Sequence, residues 1–200
     1  MKSGAEACPY VDLTVGVVYK LFFLLRNGAL GKKLSYELNE GGRFECQIED
    51  AVLPDTLTKL ITLHDAGAHP TEIVGLSDTG EYLIVKQPLA GPYEVFDADQ
   101  EEAVKIIKGV PLSCQGFRGR AILIWVNEQP WVVSDLHTGN IMRDSEGRPT
   151  IIDALTGAIP PLAYDQIRQV REAVQDARDL REGRAPRTRL QFDDVDDRDL

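Results

Sequence analysis

Cysteine is scarce in this chain of 200 residues: there are three, and no two of them stand in a Cys-x-x-Cys spacing. An odd, scattered set (Cys8, Cys46 and Cys114) argues against a disulfide framework or a zinc site and favours reduced thiols in a cytoplasmic protein. Long apolar runs are missing as well. The longest, Leu21 to Leu25 with Val17, Val18 and Tyr19 before it, contains Lys20 and is far too short to span a bilayer, so no membrane partner is expected. The first residues lack the basic region, apolar core and cleavage pattern of a signal peptide, which again points to the cytoplasm. Positive charge is in deficit. A formal net charge of −10 counts against nucleic-acid binding, which needs a basic surface to meet phosphates. Much of that excess is local, because Asp193, Asp194, Asp196, Asp197 and Asp199 crowd the last eight residues as a solvated tail would.

What is present is ordinary for a globular protein: 43% hydrophobic and 27% charged residues, in a length that allows one core or two small lobes. Met1 to Asp12 reads as a loop or ragged edge strand, and the β-branched and aromatic run from Gly16 to Phe23 as a strand. Residues 26–50 mix charge with glycine and give no clear element. Asp55 to Ala66 is expected to be helical, capped by Asp55, stopped by Gly67, and facing inward with Leu57, Leu60, Ile61 and either His64 or Leu63. Glu72 to Leu76 and Tyr82 to Lys86 read as paired strands around Ser77-Asp-Thr-Gly80. Pro88, Gly91 and Pro92 then break regular structure. A second helix is expected over Asp97 to Lys108, with Ala103, Ile106 and Ile107 inward. Further strands are expected at Ala121 to Val126, Trp131 to Ser134, Ile141 to Met142 and Thr150 to Ile152, and a last helix over Leu162 to Leu180. A strand-rich first part, a break, then helices with small hairpins predicts an α+β fold of two unequal lobes. The expected division is 1–88, 89–180 and an acidic tail over 181–200.

One stretch carries chemistry. Ser134-Asp-Leu-His-Thr-Gly-Asn-Ile-Met-Arg-Asp is followed by Thr150-Ile-Ile-Asp153, so that Asp135, Asn140 and Asp153 each leave or follow a short apolar strand. Phosphoryl transfer asks for little more: one carboxylate to orient the attacking hydroxyl and accept its proton, and two oxygen ligands for Mg²⁺.

Asp-Leu-His-x-Gly-Asn-Ile with a following Ile-Ile-Asp resembles the catalytic and metal loops of atypical kinases, including aminoglycoside and choline phosphotransferases. It is closer still to the kinase-like domains of bacterial and phage polyvalent proteins. There a Val-Tyr-Lys-Leu strand, a Leu-His-(Asn/Asp) segment and a Gln-Pro segment precede the loops, as Val18–Leu21, Leu63-His-Asp65 and Gln87-Pro88 do here. The resemblance spans about residues 3 to 160 and implies a compact two-lobed kinase-like fold that binds ATP and Mg²⁺. By that resemblance Asp135 is the catalytic carboxylate, and Asn140 and Asp153 are the Mg²⁺ ligands. Lys20 meets the α- and β-phosphates, Gln87 to Leu89 is the hinge whose backbone meets adenine, and Met142 floors that pocket. Ser3-Gly-Ala-Glu6 stands where a phosphate-covering loop belongs, with a single glycine.

The chain departs from the pattern in three places. Ala-Leu-Thr-Gly follows Asp153 where Phe-Gly is usual, only 47 residues follow Asp153, and no glutamate in the Asp55–Ala66 helix is available to pair Lys20, with Glu40, Glu45 and Glu49 the nearest candidates. The expected activity is transfer of the γ-phosphate of ATP to a hydroxyl of a protein or small molecule, chosen by the surface around Pro111 to Arg120 and Ile159 to Arg171. The alternative is a pseudokinase or nucleotide-binding interaction module without turnover. His137 reads as a structural brace for the loop, His64 and His69 as packing or turn residues, and Trp125 and Trp131 as core or cross-strand residues. The arginines from Arg178 to Arg189 read as a solvated helix end.

Overall fold

The computed structural model of the chain describes residues 6–26, 28–38, 40, 44–91, 97–112 and 121–187. The expected α+β class holds there, with four α-helices and several small antiparallel sheets. The β-branched, aromatic run forms a strand, β2 (Val17–Phe23), flanked by an edge strand, β1 (Cys8–Asp12). Residues that give no clear signal in sequence form a separate hairpin of β3 (Lys32–Leu38) and β4 (Phe44–Asp50). β5 (Glu72–Leu76) and β6 (Tyr82–Pro88) pair around the expected turn, and β6 also runs along all of β2, giving a sheet ordered β1-β2-β6-β5.

The second half carries β7 (Val110–Pro111), β8 (Ile122–Val126), β9 (Gln129–Ser134) and β12 (Leu155–Ala158), in the order β12-β9-β8-β7. Between the last two lies the small hairpin of β10 (Ile141–Arg143) and β11 (Pro149–Ile151). The β8–β9 turn places Asn127 and Glu128 at φ of 50° and 60°, the left-handed pair that matches the twist of a two-residue hairpin.

Strand alternation builds the core on both faces of this sheet. Ile122, Ile124, Val126 and Val133 pack on one side with Leu63, Ala66, Ala103 and Val104, while Leu123 and Val132 pack on the other with Val170, Val174 and Ala177. The tryptophans divide likewise. Trp131 is half-buried on the first side; Trp125 lies on the second, beneath the guanidinium of Arg178 at 5.4 Å. The β3–β4 hairpin docks on β12 at Gly157, where a β-carbon would stand 2.5 Å from the Leu34 carbonyl oxygen.

The helices depart in detail from the sequence expectation. α1 (Leu53–Ala66) begins two residues early, with Val52 as N-cap. Asp55, expected as the cap, sits inside the first turn and accepts from the Val52 N–H at 3.0 Å. Gly67 ends the helix in the left-handed conformation, as expected. The buried face of α1 is rotated: Thr56, Lys59, Leu60, Leu63 and Ala66 point inward, whereas Ile61 is 46% exposed. Polar groups set that rotation, because the Thr56 hydroxyl donates to the Leu30 carbonyl and Lys59 meets two carboxylates. α2 (Asp97–Ile106) buries Ala103 and Val104 and leaves Ile106 37% exposed, and Ile107 is buried just past its end. The single last helix resolves into α3 (Pro161–Gln166) and α4 (Arg168–Arg181), separated by Ile167 in extended conformation. Ile167 packs against the core there, and its carbonyl accepts the Arg171 N–H of the next helix. The arginines after α4 are not simply solvated. Arg184 bonds Asp179 at 2.8 Å and the Arg187 N–H bonds Asp176 at 2.7 Å, tying the chain back onto two buried carboxylates. Cys114, residues 1–5 and 188–200, and most of the expected acceptor surface over 111–120 lie outside the described residues.

Candidate functional site

Asp135 follows β9 directly and leaves it at a φ of 64°, a left-handed conformation that a non-glycine residue holds only where its surroundings enforce it. Asn140 supplies that enforcement. It closes a short 3-10 turn (Thr138–Asn140), and its Nδ2 donates to the Asp135 carbonyl at 2.8 Å and to Asp135 Oδ2 at 3.2 Å. The Asn140 carbonyl accepts the Ile152 N–H at 2.9 Å, which joins this loop to the one bearing Asp153. His137 braces the loop as expected: its Nδ1 accepts the Gly139 N–H at 2.9 Å, and its Nε2 stands 3.7 Å from Asp135 Oδ1. A β-carbon at Gly139 would come within 2.8 Å of the His137 ring, so a larger residue there would displace that brace.

Lys20, on β2, reaches across to donate to the Ile152 carbonyl at 2.9 Å. Burial pulls its pKa below the ordinary lysine range, against the pull of nearby Asp153. The carboxylates beside it are Asp153 and Glu6, not Glu40, Glu45 or Glu49; Glu49 bonds the Ser35 hydroxyl at 2.7 Å instead. α1 contributes a second lysine. Lys59 is only 4% exposed and bridges Glu6 Oε2 at 2.8 Å and Asp153 Oδ1 at 3.2 Å. Burial lowers the Lys59 pKa, but Asp153 and Glu6 outweigh it and hold the ammonium above the usual range. Glu6 is itself fixed by the Lys32 N–H at 3.1 Å. Sequence reading passes over both partners. The available signal is that Lys59 falls in helical phase with Thr56, Leu63 and Ala66, a lysine on a buried face that demands a counter-charge.

These groups open on one cleft of about 650 Å³, and all seven residues expected from sequence line it: Lys20, Gln87, Leu89, Asp135, Asn140, Met142 and Asp153. Val11 and Val18, partners across β1 and β2, and Ala90 add apolar wall. The segment from Gln87 to Leu89, expected as the hinge, is more heavily bonded than the sequence implies. Gln87 is buried in register with Val18, and its amide donates to the Thr71 hydroxyl at 2.8 Å. The Leu89 N–H donates to the Gly16 carbonyl at 2.8 Å, and the Pro88 carbonyl contacts His69 Nε2 at 2.7 Å. His69 is thus a clamp, since its own N–H also meets the Ile151 carbonyl at 3.0 Å. His64 serves the same turn, accepting the Thr71 N–H at 3.0 Å.

The donor set fits a small hard cation. Because both partners of the Asn140 amide nitrogen are acceptors, its Oδ1 is the end turned elsewhere. Asp153 spends Oδ1 on Lys59 and on the Ala154 N–H at 2.9 Å, leaving Oδ2 for a cation. Among the described residues no three His, Cys, Asp or Glu side chains gather as a metal cluster, so an ion here would draw on few protein oxygens, as Mg²⁺ does beside phosphate and water. No helix among the described residues is long and apolar enough to cross a membrane. No family model, no curated protein and no solved structure matches the chain.

Proposed function

We propose that this chain is an ATP- and Mg²⁺-dependent phosphotransferase of atypical kinase-like type, moving the γ-phosphate of ATP to a hydroxyl of a protein or small molecule. The observation that carries this reading is the convergence of Asp135, Asn140, Asp153 and Lys20 on one cleft. In this reading residues 1–88 form the smaller, strand-rich lobe and 89–180 the larger one, with the cleft between them. Val11, Val18 and Met142 provide apolar walls suited to a planar base, and the segment from Gln87 to Ala90 borders it. Lys20 meets the phosphates. Asn140 Oδ1 and Asp153 Oδ2 would hold Mg²⁺, which supplies charge neutralisation on the β- and γ-phosphates. Asp135 Oδ1 accepts the proton of the acceptor hydroxyl as its oxygen bonds the γ-phosphorus. The bond from that phosphorus to the β,γ-bridging oxygen breaks, and ADP leaves with the electron pair.

A second reading, nucleotide binding without turnover, is favoured by one observation: α1 presents Lys59 to the cleft and no glutamate to Lys20. Incubation with γ-labelled ATP and candidate acceptors separates the two. The phosphotransferase reading expects label on an acceptor in the wild type and none with Asp135→Ala; nucleotide binding with no Asp135-dependent labelling leaves the binding module.

A further inference from the structure

Lys59 is an unusual occupant of a metal-and-phosphate cleft: a buried ammonium held by two carboxylates, one of which is the Asp153 proposed to receive the cation. We infer that Lys59 is a second phosphate ligand of the nucleotide, parked on Asp153 and Glu6 in the free protein. The assignment rests on the nucleotide reading above.

Electrostatics drives the exchange. The ammonium lies on Asp153 Oδ1, so a divalent cation on Oδ2 of the same carboxylate brings like charges close together in a cleft where screening is weak. Lys59 then loses its second counter-ion, and a buried cation left short of charge needs another anion. The triphosphate that arrives with the metal is that anion. Glu6 keeps the side chain within reach during the change. Its Oε1 is bonded by the Lys32 N–H, its Oε2 by Lys59, and a β-carbon at Gly31 would lie 2.6 Å from it, so the carboxylate is confined against backbone. A glutamate just ahead of β1 paired with a helix lysine thus stands in this cleft, and Lys20 is left to the Ile152 carbonyl and the phosphates. The two ammonium groups approach Asp153 from β2 and α1 and form a two-lysine phosphate grip.

A purely structural ion pair and a parked ligand differ in the sign of one effect. If Lys59 only holds the cleft together, its loss weakens metal and nucleotide alike. If it competes with the metal and later binds phosphate, its loss strengthens or spares the first and weakens the second. Calorimetric titrations of the full chain with Mn²⁺ alone, and with ATP in the presence of Mg²⁺, read both. The variants are Lys59→Met, the same change combined with Glu6→Gln to neutralise the stranded carboxylate and protect folding, and Lys20→Met as reference. We expect ATP affinity to fall by about tenfold or more in both Lys59 variants, the scale of a lost charge-assisted contact, with Mn²⁺ affinity unchanged or tighter. A smaller loss of ATP affinity, or any weakening of Mn²⁺, overturns the assignment. ATP binding that needs Lys20 but not Lys59 removes this inference and leaves the nucleotide reading standing, whereas a wild type that takes no ATP removes both.

Discussion

Replacing Asp153 with alanine tests whether the cleft is held together by charge before any ligand arrives. Removing a metal-binding carboxylate from a ligand-free protein commonly relieves repulsion and raises stability. Here Asp153 is instead one of two counter-ions for Lys59, a side chain only 4% exposed. Removing one partner of a fully buried ion pair costs about 3–5 kcal/mol. The Asp153 side chain is 37% exposed and Lys59 keeps Glu6 at 2.8 Å, so solvent and the remaining partner reduce this to about 1–2 kcal/mol. For a chain of this size that corresponds to a melting temperature lower by about 2–8 °C. Glu6→Gln in the same background strands the ammonium altogether, so the double variant should lose more than the sum of the two single ones. Thermal unfolding of the four proteins, followed by circular dichroism in a metal chelator, reads the cycle directly. A melting temperature that stays level or rises on Asp153→Ala, or strict additivity in the double variant, refutes the charge bridge.

Gly157→Ala should be costly out of proportion to one methyl group, because its β-carbon would stand 2.5 Å from a backbone oxygen of Leu34 that cannot turn aside. A loss of about 1–3 kcal/mol in denaturant unfolding is expected, and a neutral result would mean that the hairpin is not docked on β12 as described. Asp179 sets an acid limit. Hydrogen bonds from Arg184 hold its carboxyl below the ordinary value of 3.8, so the stability it contributes is present above 3.8 and is lost as pH falls through the lower folded value. The acid limb of unfolding should therefore be shallower in Asp179→Asn; superimposable limbs would contradict the tie between α4 and the segment after it.

The parts of the fold legible in sequence are those where one local pattern decides the outcome. The run from Val17 to Phe23, the Ser77-Asp-Thr-Gly80 turn and the Gly67 stop need only β-branching, turn chemistry or a left-handed glycine. Asp135, Asn140 and Asp153 were legible for a similar reason, since their spacing along short strands brings them to adjacent loops. Elsewhere long-range partners decide. Ile61 looks like a core residue in a helical wheel, but α1 turns to satisfy Thr56 and Lys59. The break at Ile167 follows from burying one side chain against the sheet, which periodicity over residues 162–180 does not reveal. Glu6 lies 53 residues from Lys59 and 94 separate Lys59 from Asp153, so no local spacing announces the triad. Asp176 and Asp179 were missed likewise, because two acids on a charged helix read as solvent-facing until Arg184 and the Arg187 N–H fold back over them.

If the cleft binds a nucleotide through a metal held by Asp153, a thermal-shift titration with ATP will show it, since a ligand seen only by the folded state raises its melting temperature. ATP with Mg²⁺ should raise the melting temperature of the wild type in a dose-dependent way. Excess chelator, or Asp153→Ala, should abolish most of that rise. A wild type indifferent to ATP and Mg²⁺, or a rise of equal size in Asp153→Ala, would contradict nucleotide binding through that metal.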